Sequence, residues 1–260
     1  MMKPRPSDLP DYQYPPVIEV VVGVQFEPMT WLRSAHVGKF WQLLDTRYVT
    51  TADVPRLPPR GEAGVRWSPL PRTHFVSDDD AWVVQLQDDR FLQNWRLTRD
   101  EDEYPHFEAI YAEFSRNLEL WRSFCSDVGE GELAITHAEV SYVNHIPEGA
   151  GWHRLDEIGE VFADLAWRRE SNRYLPAPNS VQWTAEFPLA EASGTLRIAI
   201  KHGRNRRSQD GVLLCELVAA GQLGELPLEQ WLYEGRCAIV RGFTDLITED
   251  VQREQFGRKT

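Results

Sequence analysis

Ile135-Thr136-His137-Ala138-Glu139-Val140-Ser141-Tyr142-Val143-Asn144-His145-Ile146 alternates across its length in the period-two pattern of a strand that buries one face. An earlier run, Val17 to Phe26, carries the same Glu-Val step, Glu19-Val20 against Glu139-Val140. Working outward, each run is followed by a helix-like stretch and then by a Val-x-Trp strand, Val65-Arg66-Trp67 in one case and Val181-Gln182-Trp183 in the other. Further strands and a long helix complete each half, at a spacing of about 115 residues. A period of that length marks a duplicated domain and not a solenoid. The reading is an α+β fold of two pseudo-symmetric β-α-β-β-β-α repeats, 17–128 and 129–260, packed as one globular unit behind an extended N-terminal arm at 1–16. The repeats are expected to form a curved antiparallel sheet with long helices on one face.

Within the first repeat, Ser34 is an N-cap candidate for a helix carrying Phe40, Trp41, Leu43 and Leu44, and Pro55 to Gly64 reads as a loop. Strands are expected at 65–70, 73–77 and through 81–99, where Asp88-Asp89-Arg90 marks a hairpin turn or a continuation. Phe107, Ile110, Tyr111, Phe114, Leu118, Trp121 and Cys125 recur at three- and four-residue steps and predict a helix over 104–127. The second repeat predicts a strand at 133–146, a helix at 155–167, strands at 181–187, 195–202 and 211–219, and a final helix at 227–254. Of the ten Trp residues, those on predicted strands and helices belong to the core, whereas Trp31, Trp152 and Trp167 are expected nearer the surface.

Twenty-eight basic and forty acidic side chains leave a formal charge of −12, which opposes generic binding to nucleic acid or anionic lipid. Cys125, Cys215 and Cys237 are odd in number and sit in apolar patterns, so they read as buried thiols of a reducing compartment. The proline-rich start contains no leader-like apolar segment, and no apolar run approaches membrane-spanning length. A cytoplasmic bacterial protein is the expectation.

Pro15-Pro16-Val17-Ile18-Glu19-Val20, Val24-Gln25-Phe26 and Phe91-Leu92-Gln93-Asn94-Trp95-Arg96 resemble the signature of a sporadically distributed, uncharacterised bacterial family of about 250 residues, across most of the chain. The resemblance implies an accessory protein of specialised gene neighbourhoods and supplies no catalytic residues. The element order resembles the TATA-box-binding-protein-like fold, and more loosely the helix-grip fold, which carries fold and not function.

The candidate site lies on the two opening strands. His137, Glu139, Ser141, Val143 and His145 share one face, and Glu19 and Gln25 fall on the matching face of the earlier strand. A His and a Glu two apart can act as a base and its orienter, or ligate a metal, or simply pair with Arg and water. Asn94 and Arg96 share a face of their strand and can grip a peptide backbone or carboxylate, while the plainer reading pairs Arg96 with Glu19 or Glu139. Glu19, Gln25, Asn94, Arg96, His137, Glu139 and His145 are therefore the candidate binding residues. No zinc-like spacing, phosphate loop, dinucleotide fingerprint or nucleophile elbow occurs, so no metal, cofactor or catalytic residue is assigned. Arg168, Arg169, Arg204, Arg206 and Arg207 form basic islands that would serve a nucleic-acid alternative.

The preferred functional expectation is a non-enzymatic binding or adaptor protein that holds a protein or peptide partner on its sheet or inter-repeat groove, with homodimerisation an additional expectation. A helix-grip-like small-molecule or enzymatic pocket is the alternative, and a nucleic-acid binder the second alternative.

Overall fold

Both Glu-Val runs are strands, β2 (Val17–Phe26) and β7 (Ile135–Pro147), in a computed structural model that describes residues 9–58, 70–99, 102–129, 131–167, 174–205 and 209–259. The intervening elements are α1 (Ser34–Trp41), β3 (Tyr48–Val54), β4 (Arg72–Ser77), β5 (Trp82–Gln87), β6 (Arg90–Arg96) and α2 (His106–Asp127). After β7 come α3 (Ile158–Val161), β8 (Gln182–Pro188), β9 (Thr195–Arg204), β10 (Gly211–Gln222), α4 (Leu228–Leu246) and α5 (Glu249–Glu254). Two short strands, β1 (Asp11–Tyr12) and β11 (Arg258–Lys259), pair with each other. Among the described residues, nine strands hydrogen-bond in the order β3-β4-β5-β6-β2-β7-β10-β9-β8, an α+β architecture. The expected strand at Val65-Arg66-Trp67 lies outside the described residues.

By their internal packing the residues fall into two units. One comprises Glu19–Val140 with Gln222–Glu225, and the other Met1–Ile18, Ser141–Gly221 and Leu226–Thr260. In the first, β2 presents Val20, Val22 and Val24, all fully buried, while β6 presents Phe91 and Trp95 to the same side. The apolar stripe of α2 lies on that face. Trp121 is fully buried, with its ring centroid 4.9 Å from Phe40 and 5.5 Å from Phe124, and Phe114 lies 6.3 Å from Phe91. Such edge-on and offset aromatic pairs add to the area they remove from water. The opposite face of β2 carries Gly23 because neighbours occupy the space of its side chain. A Cβ there would stand 2.2 Å from Leu92 Cδ2 and 3.2 Å from Glu139 Cγ. Gly23→Ala is expected to cost about 1–3 kcal/mol of stability through overpacking. A denaturant melt checks this, and an unchanged midpoint would mean that Leu92 swings aside freely.

The second unit is built on α4, whose Trp231, Leu232, Ile239 and Phe243 are buried with Leu196, Ile198 and Ile200 of β9 and Leu213, Cys215 and Leu217 of β10. Gly242 lets the helix approach the sheet, since a Cβ there would stand 2.9 Å from Leu196 Cδ2. The Cys215 thiol sits in this core, and burial pushes its pKa up to about 12.

Several expectations are corrected. The helix expected over 155–167 is two short 3-10 turns, Leu155–Glu157 and Ala163–Leu165, flanking the four-residue α3. The helix expected over 227–254 breaks between α4 and α5. One contact explains both: Phe162 and Ile247 adopt extended backbone and form an antiparallel bridge, with the Thr248 N–H donating to Val161 O at 2.9 Å. A long-range backbone pairing overrides the local apolar period. The N-cap of α1 is Arg33 and not Ser34, its backbone N–H donating to His36 Nδ1 at 3.2 Å. Trp152 is 2% exposed, and its indole N–H reaches Ile146 O at 3.3 Å. The described part of the N-terminal arm is anchored at Tyr12, whose ring is edge-on to Phe243 and Phe256 and whose hydroxyl lies 2.7 Å from Thr244 Oγ1.

Candidate functional site

Side chains on the face of the first unit turned away from α2 form a directed polar chain across four strands. Registry brings His74 opposite Gln85, Val83 opposite Asn94, and Val21 opposite Asn94, so polar residues on adjacent strands stand diagonally to one another. Arg72 NH1 donates to Gln85 Oε1 at 2.9 Å, Gln85 Nε2 to Asn94 Oδ1 at 2.6 Å, and Asn94 Nδ2 to Glu19 Oε1 at 2.6 Å. All three donations run the same way, from a guanidinium to a carboxylate. Each bond therefore polarises the next, and the two amides, only 6% and 5% exposed, are fixed in orientation.

One end of this face is covered. The segment after β3 returns to the β5–β6 hairpin, where the Leu57 N–H donates to Gln87 Oε1 at 2.9 Å and Arg90 NH2 to Pro58 O at 2.9 Å. Arg56 pairs with Asp88, and Arg90 Nε lies 3.2 Å from Asp89 Oδ1. Arg90 is thereby both buried and neutralised.

Among the described residues, three polar atoms of this face are sealed from solvent with no partner: Gln25 Nε2, Arg72 Nε and His74 Nε2. Burial, then the charge of Arg72, pushes the His74 imidazole down to about 4. The ring is therefore neutral near pH 7, with one nitrogen a donor and the other an acceptor. Burial and then the nearby Arg90 charge also depress the Arg72 pKa, although a guanidinium stays protonated.

The expected residues divide accordingly. Glu19 and Asn94 are joined, and both ends of the Asn94 amide are engaged within the chain. Arg96 stands opposite Glu19 in register but turns its Nε to Asp80 O at 2.8 Å. Gln25 is 8% exposed, and Glu139 lies against Gly23. His137 Nδ1 is 3.0 Å from Thr136 Oγ1. His145 belongs to the other unit, where its backbone N–H donates to Pro16 O at 2.7 Å and burial lowers its pKa. Arg204 caps its hairpin through Gln209 O at 3.1 Å, whereas Arg168, Arg169, Arg206 and Arg207 lie outside the described residues. Among the described residues, no group of three or more His, Cys, Asp and Glu side chains is placed to hold a metal ion, and no helix is long and apolar enough to cross a membrane.

Sequence reasoning missed Arg72, His74 and Gln85. Arg72-Thr73-His74-Phe75-Val76-Ser77 mixes polar and apolar residues on both of its faces, so no period-two alternation marked the face that carries Arg72 and His74.

A second polar cluster, on the helix side, gathers around one carboxylate. Glu113 accepts from Tyr48 Oη at 2.8 Å, Asn117 Nδ2 at 3.0 Å and Arg116 NH2 at 2.7 Å, and it pairs with Arg47. Arg47 also lies over the Tyr48 and Trp82 rings at 5.3 and 5.1 Å. This cluster ties β3 and β6 to α2 and reads as an anchor of the fold. No protein-family model, curated protein or solved structure matches this chain.

Proposed function

We propose that the protein is a non-enzymatic binding protein that holds a protein or peptide partner on the sheet face of β4, β5, β6 and β2. The observation that carries this reading is the directed chain Arg72, Gln85, Asn94, Glu19, whose amides are locked in orientation before any partner arrives. Pre-orientation of polar groups reduces the ordering cost of association, which favours recognition. No proton-transfer pair is needed for that role. The same proposal includes the duplication: strands succeed one another outward as β2, β6, β5, β4 and as β7, β10, β9, β8, which supports two related halves. We also propose that the chain belongs to the sporadically distributed bacterial family whose motifs it resembles.

Affinity capture followed by hydrogen exchange on the purified complex tests the reading. The expected result is a stoichiometric protein partner that slows amide exchange in β4, β5 and β6. Protection confined to α1 and α2 would overturn it, and a captured small molecule with no protein would replace it with the pocket alternative.

A further inference from the structure

The geometry points to Arg72 and His74 as a carboxylate-binding site at the guanidinium end of the polar chain. This rests on the reading of that sheet face as a recognition surface. The two residues are alternate positions of β4, so their side chains project from one face about 7 Å apart at their origins. Gln85 lies between them, accepting from Arg72 NH1 at 2.9 Å and standing opposite His74 in the pairing of β4 with β5. Among the described residues, NH1 is the one nitrogen of the Arg72 fork that is engaged. Among the described residues, Arg72 Nε and His74 Nε2 have no partner, although both atoms are sealed from water. A buried donor left unmade is costly, and an occupant that accepts from it recovers that cost.

Charge selects the occupant. The cationic groups facing this spot are Arg72 and, more distantly, Arg90 and Arg96, each of which acts on Arg72 or His74. Arg90 has its own carboxylate in Asp89 and Arg96 turns to the Asp80 carbonyl, whereas Arg72 has no acid partner among the described residues and a free Nε edge. Glu19, the acid of the chain, is reached only through two amides. A planar carboxylate matches the Nε edge of a guanidinium in a two-point contact, with a neutral His donating from the side. The two sources of that chemistry are a free organic acid and the C-terminus of a peptide.

The test follows the Arg72 Nε–H and His74 ring resonances by NMR while intact protein is titrated with sodium acetate, with N-acetyl-Ala-Ala, and with its C-terminal amide. Sodium chloride at matched ionic strength is the control. The expected result is a saturable shift of both resonances with acetate and with the free-acid peptide, and none with the amide or chloride. Binding about tenfold tighter for the peptide than for acetate identifies a C-terminus, and equal binding identifies a free acid. Arg72→Gln is expected to weaken the shift at His74 by about tenfold or more, while Arg72→Lys, which keeps the charge and loses the fork, retains part of it. Unmoved resonances in the folded wild type, an equal response to the amide, or undiminished affinity in Arg72→Gln would overturn the proposal. Partner protection that stays on β4 to β6 in spite of those results would leave the binding reading standing, whereas protection on the helices would remove it.

Discussion

Glu113→Ala is expected to destabilise the protein by about 3–5 kcal/mol, because it removes one partner of a buried charge cluster and leaves the others unpaired. The carboxylate is the common acceptor for Tyr48, Arg116 and Asn117, and the counter-ion of Arg47, at 9% exposure. Without it the Arg47 guanidinium keeps its place over Tyr48 and Trp82 with no anion, and the Tyr48 hydroxyl loses its strongest acceptor. Glu113→Gln, which keeps an acceptor but not the charge, should lose less, since charge-assisted hydrogen bonds are about twice as strong as neutral ones. Acid titration gives an independent check. Burial alone raises the Glu113 pKa, but hydrogen bonds from Arg47 and Tyr48 and the Arg47 charge outweigh it and hold the carboxyl below its ordinary value. A depressed acid contributes stability that is fully present above the unfolded pKa, about 4.3, and is lost as pH falls through the lower folded value. The wild type should therefore weaken below that pH with a steeper slope than Glu113→Ala. Equal slopes, or a loss under about 1 kcal/mol at neutral pH, would show the cluster to be effectively solvated.

The parts of the fold that were legible are those in which a local period coincides with one buried face. β2, β7 and α2 carry their apolar positions at the spacing their conformation demands, and of the two readings left open at Asp88-Asp89-Arg90 the hairpin turn between β5 and β6 is the one formed. β3 escaped because its residues after Tyr48 are exposed through Asp53, so Val49-Thr50-Thr51-Ala52-Asp53 has no buried face to impose alternation. The bridge from Phe162 to Ile247 and the pairing of β1 with β11 join segments far apart in sequence, and no local pattern encodes them. At the site, the opening-strand Glu19 and the Asn94 of β6 were singled out, but their roles were not. Whether an Asn grips a ligand or links two neighbours depends on diagonal registry, which is set by the pairing of β5 with β6 and β6 with β2. Registry also explains why Arg96, opposite Glu19, forms no ion pair with it: the carboxylate is occupied by Asn94, and the guanidinium by the Asp80 carbonyl.

Asn94→Asp tests that linking role with a sign opposite to that of Glu113. Asn94 accepts from Gln85 through Oδ1 and donates to Glu19 through Nδ2, each at 2.6 Å. The substitution preserves the acceptor and turns the donor into an oxygen facing the Glu19 carboxylate at hydrogen-bonding distance. Two carboxylates so placed cannot both be ionised, and one retains a proton with a strongly raised pKa. Holding that proton near pH 7, roughly two to three units above the ordinary carboxyl value, costs about 2–4 kcal/mol. A raised folded pKa means that stability is present below the unfolded value and lost as pH rises through the folded one. The variant should therefore approach wild-type stability near pH 4, where a shared proton rebuilds the hydrogen bond, and fall away toward pH 8. Asn94→Ala provides the contrast, because it breaks the same link without adding a charge and should lose about 1–3 kcal/mol with little dependence on pH. Melts of the three proteins across that range decide the matter. A loss in Asn94→Asp that does not grow with pH would mean that Glu19 turns away to solvent, and that the chain from Arg72 ends at Asn94 instead of at a fixed carboxylate.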